Sequence, residues 1–375
     1  MSNKKKVNKE DKLNLRIWSR NGESLLKINA DLKNNFKDKY NIVSSKTGDI
    51  FVMNHIHDYR SFIFHRKLLI QPLDGTVINS GITENINTFH QIITPSSVNK
   101  KQLEDCGVVK PIKVIPNYYD EDLLKKDNGF FDSIFNDKKY TFYTESTGIA
   151  RKNITNALKY FLEEFTDEDN VRLLIKLNEI PKIKVEKFKK MLEKYPNRPE
   201  VIFLNKRLPK EYLHSLERGI DCYICLSHME GFCIPLLNSI VLKKDVITLD
   251  TKISGYKDFV NKENSILLPT KEIDLLATPD NLFIYSKESK WEETDYKEYR
   301  KALRKVFKGE YKFKKDQDYS KYSQKNVMKE YSKVLDVLSK ESIERGVKIK
   351  ELAQRRYNEY FSKFRSDSDL NVNID

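Results

Sequence analysis

With 375 residues the chain is long enough for two domains of ordinary size, and 39% hydrophobic with 33% charged residues describes a polar-surfaced protein. No run of about 18 apolar residues occurs, which excludes a hydrophobic membrane span; the four cysteines, Cys106, Cys222, Cys225 and Cys233, read as reduced, cytoplasmic usage and not as a disulfide framework. The net charge of +13 suits nucleic acid, anionic lipid or a phosphate-bearing substrate, but a Lys-rich solvated surface gives the same number, so charge alone decides nothing.

Residues 1–12 form a charged arm without the apolar segment of a signal peptide. Leu13 to Trp18 alternates apolar and polar as a strand does. A turn at Gly22 then leads into a helix with apolar residues at 25, 26, 28, 32 and 36. The single glycine does not make a dinucleotide-binding fingerprint. Asp49 to Asn54 is a second strand, ending in the polar cluster His55, His57 and Asp58. A metal there would need further ligands that the sequence does not place. Lys67 to Pro72 is a third strand. A fourth ends in Pro95-Ser96, followed by a helix from Val98 to Cys106, with Gly107 at its C′ position, and then Val114-Ile-Pro116-Asn117.

The stretch from 119 to 139 reads as an interdomain linker. Its Asp120-x-Asp122, like Asp167-x-Asp169 and Asp367-x-Asp369, is read as a solvated acidic turn and not as a metal motif. Tyr140 to Tyr143 begins a second series of β–α units. Its first loop carries Arg151-Lys152-Asn153 at a helix start, where positive residues oppose the helix dipole and so suggest a functional role. Further strands cover 171–177 and 201–204, the latter followed by Asn205 and Arg207, with helices at 184–195 and 210–217. The central stretch is the apolar strand from Asp221 to Leu226, the turn Ser227-His-Met-Glu230-Gly231-Phe232-Cys233-Ile234, and a helix in which Pro235 suits the first turn. This places a carboxylate and bare backbone N–H groups at a strand's carboxyl end, where open α/β sheets hold ligands and a helix N-terminus attracts phosphate. Cys222 and Cys225, three apart on a strand, face opposite ways and cannot share one metal. Trp291-Glu292-Glu293 reads as the start of a helical region broken near 309–317. The apolar residues Val334, Leu335, Val337, Leu338, Ile343, Val347, Leu352, Tyr357, Tyr360 and Phe364 mark one or two amphipathic helices.

Ser227-x-x-Glu230-Gly-Phe-Cys-x-Pro235-x-x-Asn238, then Asp245-Val-Ile and Ser254-Gly255-x-x-Asp258, resembles the motif of retaining GT-B glycosyltransferases of the group 1, GT4-like, type. The order of elements around 93–117 and the Arg151-Lys152-Asn153 loop resemble the same family. The chain departs from the family at Cys233, usually Gly, at Asn238, usually Glu, and at Thr147, near where an Arg is usual.

The resemblance implies two Rossmann-like parallel-sheet domains: an unusually small amino-terminal domain at 13–118 on the acceptor side, and a donor domain at 140–325. Helices at 326–365 would pack back towards the first domain, followed by a disordered tail at 366–375. It implies transfer of a hexose from a nucleotide-diphosphate sugar, taken as a UDP-sugar, with no cofactor or metal required. Lys152 and Arg151 would meet the diphosphate, Glu230 the sugar, the backbone of Gly231, Phe232, Cys233 and Ile234 the sugar or phosphate, and Asn238 the ribose. Asn205 and Arg207 would reach the nucleotide, and Gly22, His55, His57 and Asp58 the sugar or acceptor. The acceptor would be a glycan or lipid-linked saccharide. A hydroxymethylated DNA base is an alternative, with peripheral contact to nucleic acid or anionic membrane through the basic surface. A degenerate binding module without catalysis is a third reading.

Overall fold

The computed structural model describes residues 12–19, 23–56, 63–126, 129–276 and 284–367. Gly22, His57 and Asp58, most of the amino-terminal arm and most of the tail lie outside them. Two six-stranded sheets dominate. The first contains β1 (Asn14–Ser19), β2 (Asn41–Ile42), β3 (Thr47–Asn54), β4 (Ile63–Ile70), β5 (Gln91–Thr94) and β6 (Ile112–Val114), in the order β2-β1-β3-β4-β5-β6. Helices α1 (Glu23–Phe36), α2 (Ser80–Ile86) and α3 (Ser97–Asp105) fall between these strands. β3 and β4 are parallel neighbours, with Thr47 opposite Ile63 and Asn54 opposite Ile70. Only eight residues, 55–62, separate them, fewer than the dozen or so that a helical crossover takes.

After a short helix α4 (Asp132–Phe135), the second sheet comprises β7 (Tyr140–Ser146), β8 (Val171–Leu177), β9 (Glu200–Asn205), β10 (Cys222–Cys225), β11 (Asp245–Leu249) and β12 (Ile266–Leu268). Its order is β12-β11-β10-β7-β8-β9, and all its pairings are parallel. Helices α5 (Ile154–Glu164), α6 (Lys182–Leu192), α7 (Lys210–Gly219) and α8 (Ile234–Val241) alternate with the strands.

Residues of one strand feed two separate cores, as the period of two requires. Phe142, Leu173, Cys222 and Ile224 join the cluster under α5, which also holds Ala157, Leu158 and Phe161. Tyr143, Leu174, Tyr223 and Cys225 join the opposite cluster with Leu216, Leu236 and Leu237. Cys222 and Cys225 therefore do face opposite sides.

One sequence expectation is corrected and two are made more specific. Trp291-Glu292-Glu293 is not helical: β14 (Lys290–Thr294) pairs antiparallel with β13 (Thr270–Asp274), and α9 (Tyr296–Phe307) starts only after the Asp295 cap. Glu292 is buried, and its carboxylate accepts from the Thr251 hydroxyl and the Lys252 N–H, a use of charge that propensity does not reveal. The described part of 119–139 is packed: Tyr119 and Leu123 are buried, and Lys210 bonds Asp120 and Asp122 at 2.8 and 2.6 Å. The carboxyl-terminal region is one helix, α10 (Gln324–Asp367).

By contacts the chain separates into two compact units, residues 1–70, 89–92 and 328–375, and residues 71–88 and 93–327. This division follows a different line from a cut at 118. Within the first unit, α10 presents Tyr331, Val334, Leu335 and Leu338 as buried residues. Arg66 Nε bonds Glu341 at 2.7 Å, Tyr40 meets Ser339 at 2.8 Å and Lys39 pairs with Asp336. Further along, Ile343, Val347 and Leu352 are about half exposed, so among the described residues the core part of the apolar stripe lies in its first stretch. No helix among the described residues is long and apolar enough to cross a membrane.

Candidate active site

The strand order of the second sheet explains where its chemistry gathers. The chain leaves β7 outward through β8 and β9, then returns to place β10 on the other side of β7. At such a switch point the loops after the two central strands diverge and leave a ligand site at their carboxyl ends. The loop after β7 carries Arg151 and Lys152, in a 3-10 turn over Ala150–Lys152 that ends at Asn153 with φ 54. The loop after β10 carries Glu230 and enters α8 through Cys233 at φ 70.

These loops are tied together. His228 N–H donates to Arg151 O at 2.9 Å, and the Arg151 guanidinium donates to Met229 O. Lys152 Nζ lies 2.6 Å from Glu230 Oε1, and Arg151 3.0 Å from Oε2. Glu230 is only 5% exposed. Burial works against its charge, but the two cations outweigh it and hold the carboxyl down to about 2. Burial likewise opposes charge on Arg151 and Lys152, and the facing carboxylates still raise both. All three are therefore ionised near neutral pH.

The turn itself is rigidly built. Glu230 N–H donates to Ser254 Oγ at 3.1 Å, and Gly255 N–H to Glu230 O at 2.7 Å. A Cβ on Gly255 would stand 1.9 Å from Gly231 O, so the crossing of the two chain segments requires glycine there. Asp74, absent from the sequence expectations, accepts from Gly231 N–H at 3.1 Å and pairs with Arg151 at 3.1 Å.

The other expected residues have varied side-chain surroundings. Phe232 is buried in the core, its ring 5.0 Å from Phe259. Ile234 packs partly against the same cluster. The Asn205 amide is taken up by Ile180, whose N–H it accepts at 2.9 Å and whose carbonyl it reaches at 3.0 Å. Arg207 is exposed and pairs with Glu179 at 3.3 Å. The structure thus directs neither towards the Arg151–Lys152–Glu230 group. Asn238 is buried; its Nδ2 donates to both oxygens of Glu217 at 3.0 and 3.2 Å, while its Oδ1 has no hydrogen-bond partner. Glu217, also unexpected, is 1% exposed on α7. His55 belongs to the other unit, at the end of β3 with φ 70, its N–H donating to Ile70 O at 2.8 Å.

Cys225 and Cys233 bring their sulfurs to 3.8 Å, and with Glu230 they offer three possible ligand atoms within 4.8 Å. Arg151 and Lys152 already neutralise Glu230 and would repel a further cation, so the group is a poor fit for a metal ion.

Residues 125–301, just under half of the chain, match the family model for glycosyl transferases group 1. This segment is a group 1 glycosyl transferase domain. It contains Arg151, Lys152, Glu230, Asn238 and Gly255. No curated protein matches the chain by sequence. Among solved structures, Anabaena HepE in complex with UDP superposes with a TM-score of 0.60 at 12% identity, covering 86% of this chain and 99% of its own. A glycosyltransferase from Rickettsia africae gives 0.56 at 11% identity, covering 90% and 98%. The pneumococcal O-GlcNAc transferase GtfA, in complex with UDP and GlcNAc, gives 0.53 at 11% identity, covering 77% of this chain, which spans 57% of that protein's length. At these identities the likeness shows the GT-B fold, and the group 1 domain supplies its second sheet.

Proposed function

We propose that this protein transfers a hexose from a UDP-sugar to an acceptor hydroxyl on a glycan or lipid-linked saccharide, with retention at the anomeric carbon. The observation that carries this reading is the buried Arg151–Glu230–Lys152 group at the switch point of a group 1 domain. When the bond from the anomeric carbon to the β-phosphate oxygen breaks, negative charge grows on the departing diphosphate. Two fixed cations in a site largely shielded from water stabilise that charge without reorganising. Glu230 keeps both cations aligned and presents a carboxylate to the sugar hydroxyls. The partnerless Oδ1 of Asn238 is an acceptor suited to a ribose hydroxyl, a weaker partner than the Glu usual at this position. The UDP complexes of the structural neighbours support the choice of nucleotide.

The test is donor hydrolysis and transfer with a panel of UDP-sugars, first without acceptor and then with glycans, lipid-linked saccharides and hydroxymethylated DNA. Lys152→Ala is expected to lose about 2–4 kcal/mol of transition-state stabilisation, roughly 30- to 1000-fold in kcat/KM. Wild-type turnover in that variant rejects the assignment. Binding of UDP-sugars without any turnover selects a binding module, and transfer confined to DNA selects the nucleic-acid reading.

A further inference from the structure

The proposed function assigns Arg151 to the diphosphate, the family resemblance directs the Gly231 N–H to sugar or phosphate, and one side chain already engages both. Asp74 Oδ1 accepts from Gly231 N–H and Oδ2 faces Arg151, each at 3.1 Å. A carboxylate bridging a guanidinium and a backbone amide offers two anionic oxygens in the way a phosphate does.

The two carboxylates on Arg151 are not equivalent. The Glu230 side chain is 6% exposed and bonds Lys152 as well, in a turn fixed by Ser254 and Gly255. The Asp74 side chain is 41% exposed, so water takes it back at little cost when it swings away. Its main chain, in contrast, is held. Asp74 N–H donates to the Tyr285 hydroxyl at 2.7 Å, Trp291 Nε1–H donates to Asp74 O at 3.1 Å, and Thr76 N–H donates to Ser289 Oγ at 2.7 Å. Gly75 packs so closely on Tyr285 that a Cβ there would lie 2.6 Å from the ring. An anchored backbone thus carries a displaceable carboxylate.

We infer that Asp74 is a specificity residue, a built-in competitor that occupies Arg151 and the Gly231 amide and yields them only to a ligand with enough negative charge. It favours a nucleoside diphosphate over a nucleoside or a free sugar, because only the former replaces both bonds that Asp74 gives up. The inference rests on the proposed function, since it takes the ligand of this site to be a diphosphate.

The experiment is calorimetric titration of wild type, Asp74→Asn and Asp74→Ala with UDP, inorganic pyrophosphate and uridine, with thermal melting of each protein as a folding control. Both variants are expected to bind UDP and pyrophosphate about two- to fivefold more tightly, the range for losing a part-exposed ion pair, with uridine unchanged. In an Arg151→Met background the Asp74→Asn gain should shrink, because the shared partner is gone. Unchanged or weaker UDP binding in folded Asp74 variants, with wild type still binding, overturns the inference alone. If neither wild type nor the variants bind UDP or pyrophosphate, the donor reading of the site fails and the inference falls with it.

Discussion

Asn238 shows how one substitution redistributes charge. Where group 1 enzymes usually carry Glu, the shorter amide hands its N–H groups to the buried Glu217 carboxylate at 3.0 and 3.2 Å. The negative charge beside Asn238 is that of Glu217 on α7. Restoring Glu at 238 would therefore set two buried carboxylates against each other. Asn238→Glu is expected to destabilise the protein on the order of 3 kcal/mol, and Asn238→Glu with Glu217→Gln to recover most of it, measured by urea unfolding. Equal stability of the single and double variants would refute this coupling. Glu230 makes the pH prediction. Its folded-state carboxyl lies at about 2 against an ordinary 4.5, so its ionised form stabilises the fold above 4.5, and that contribution is lost as pH falls from 4.5 towards 2. Thermal melting should drop through this window in wild type and more gently in Glu230→Gln. Lys152 and Glu230 were both legible in the sequence, because each sits in a local strand–turn–helix pattern with its own chemistry. Asp74 was not, lying 157 residues from Gly231 in a loop without a pattern. Glu217 was hidden too, since a Glu near the end of a polar helix looks solvated until α8 covers it.

At the level of elements, the second sheet was readable because its strands are apolar runs that feed two cores, and its helices repeat every three or four residues. β14 was misread because Glu292 and Glu293 suggest a helix start. Only the 251–254 turn explains a buried Glu in a strand: Glu292 accepts from the Lys252 N–H and the Thr251 hydroxyl, whose oxygen in turn accepts from the Ser254 N–H. The Glu230 turn depends on a second such device, the passage of Gly255 beside the Gly231 carbonyl. Gly255→Ala should displace the turn. The expected outcome is a melting temperature lowered by several degrees and a loss of UDP binding that exceeds the loss of stability. Unaltered binding in a folded Gly255→Ala protein would show that the turn does not organise the site.

Across the whole molecule, the chain carries one long helix whose two stretches differ in character. Tyr331 to Leu338 supplies core to the first unit, whereas Ile343, Val347 and Leu352 remain about half exposed. An apolar pattern in sequence marks the possibility of burial, but tertiary cover decides it, which is why the stripe from 334 to 364 could not be apportioned in advance. Leu335→Ala is expected to cost about 2–5 kcal/mol in the first unit, visible as an earlier calorimetric transition. The residues proposed to bind the nucleotide, Arg151, Lys152, Glu230 and Asn238, all belong to the second unit, so on that reading UDP should still raise that unit's melting temperature by the wild-type increment. Loss of the UDP effect would mean that the units are energetically inseparable.

The crossing of Gly231 and Gly255 also sets a practical boundary for protein engineers. Libraries meant to alter sugar choice gain nothing by randomising Gly255, since even a methyl group there has no room beside a main-chain oxygen. Diversity is better spent at Asp74 and Asn238, where side chains rather than backbone define the space. A scaffold with one immovable point and two adjustable ones is a compact starting place for redesign.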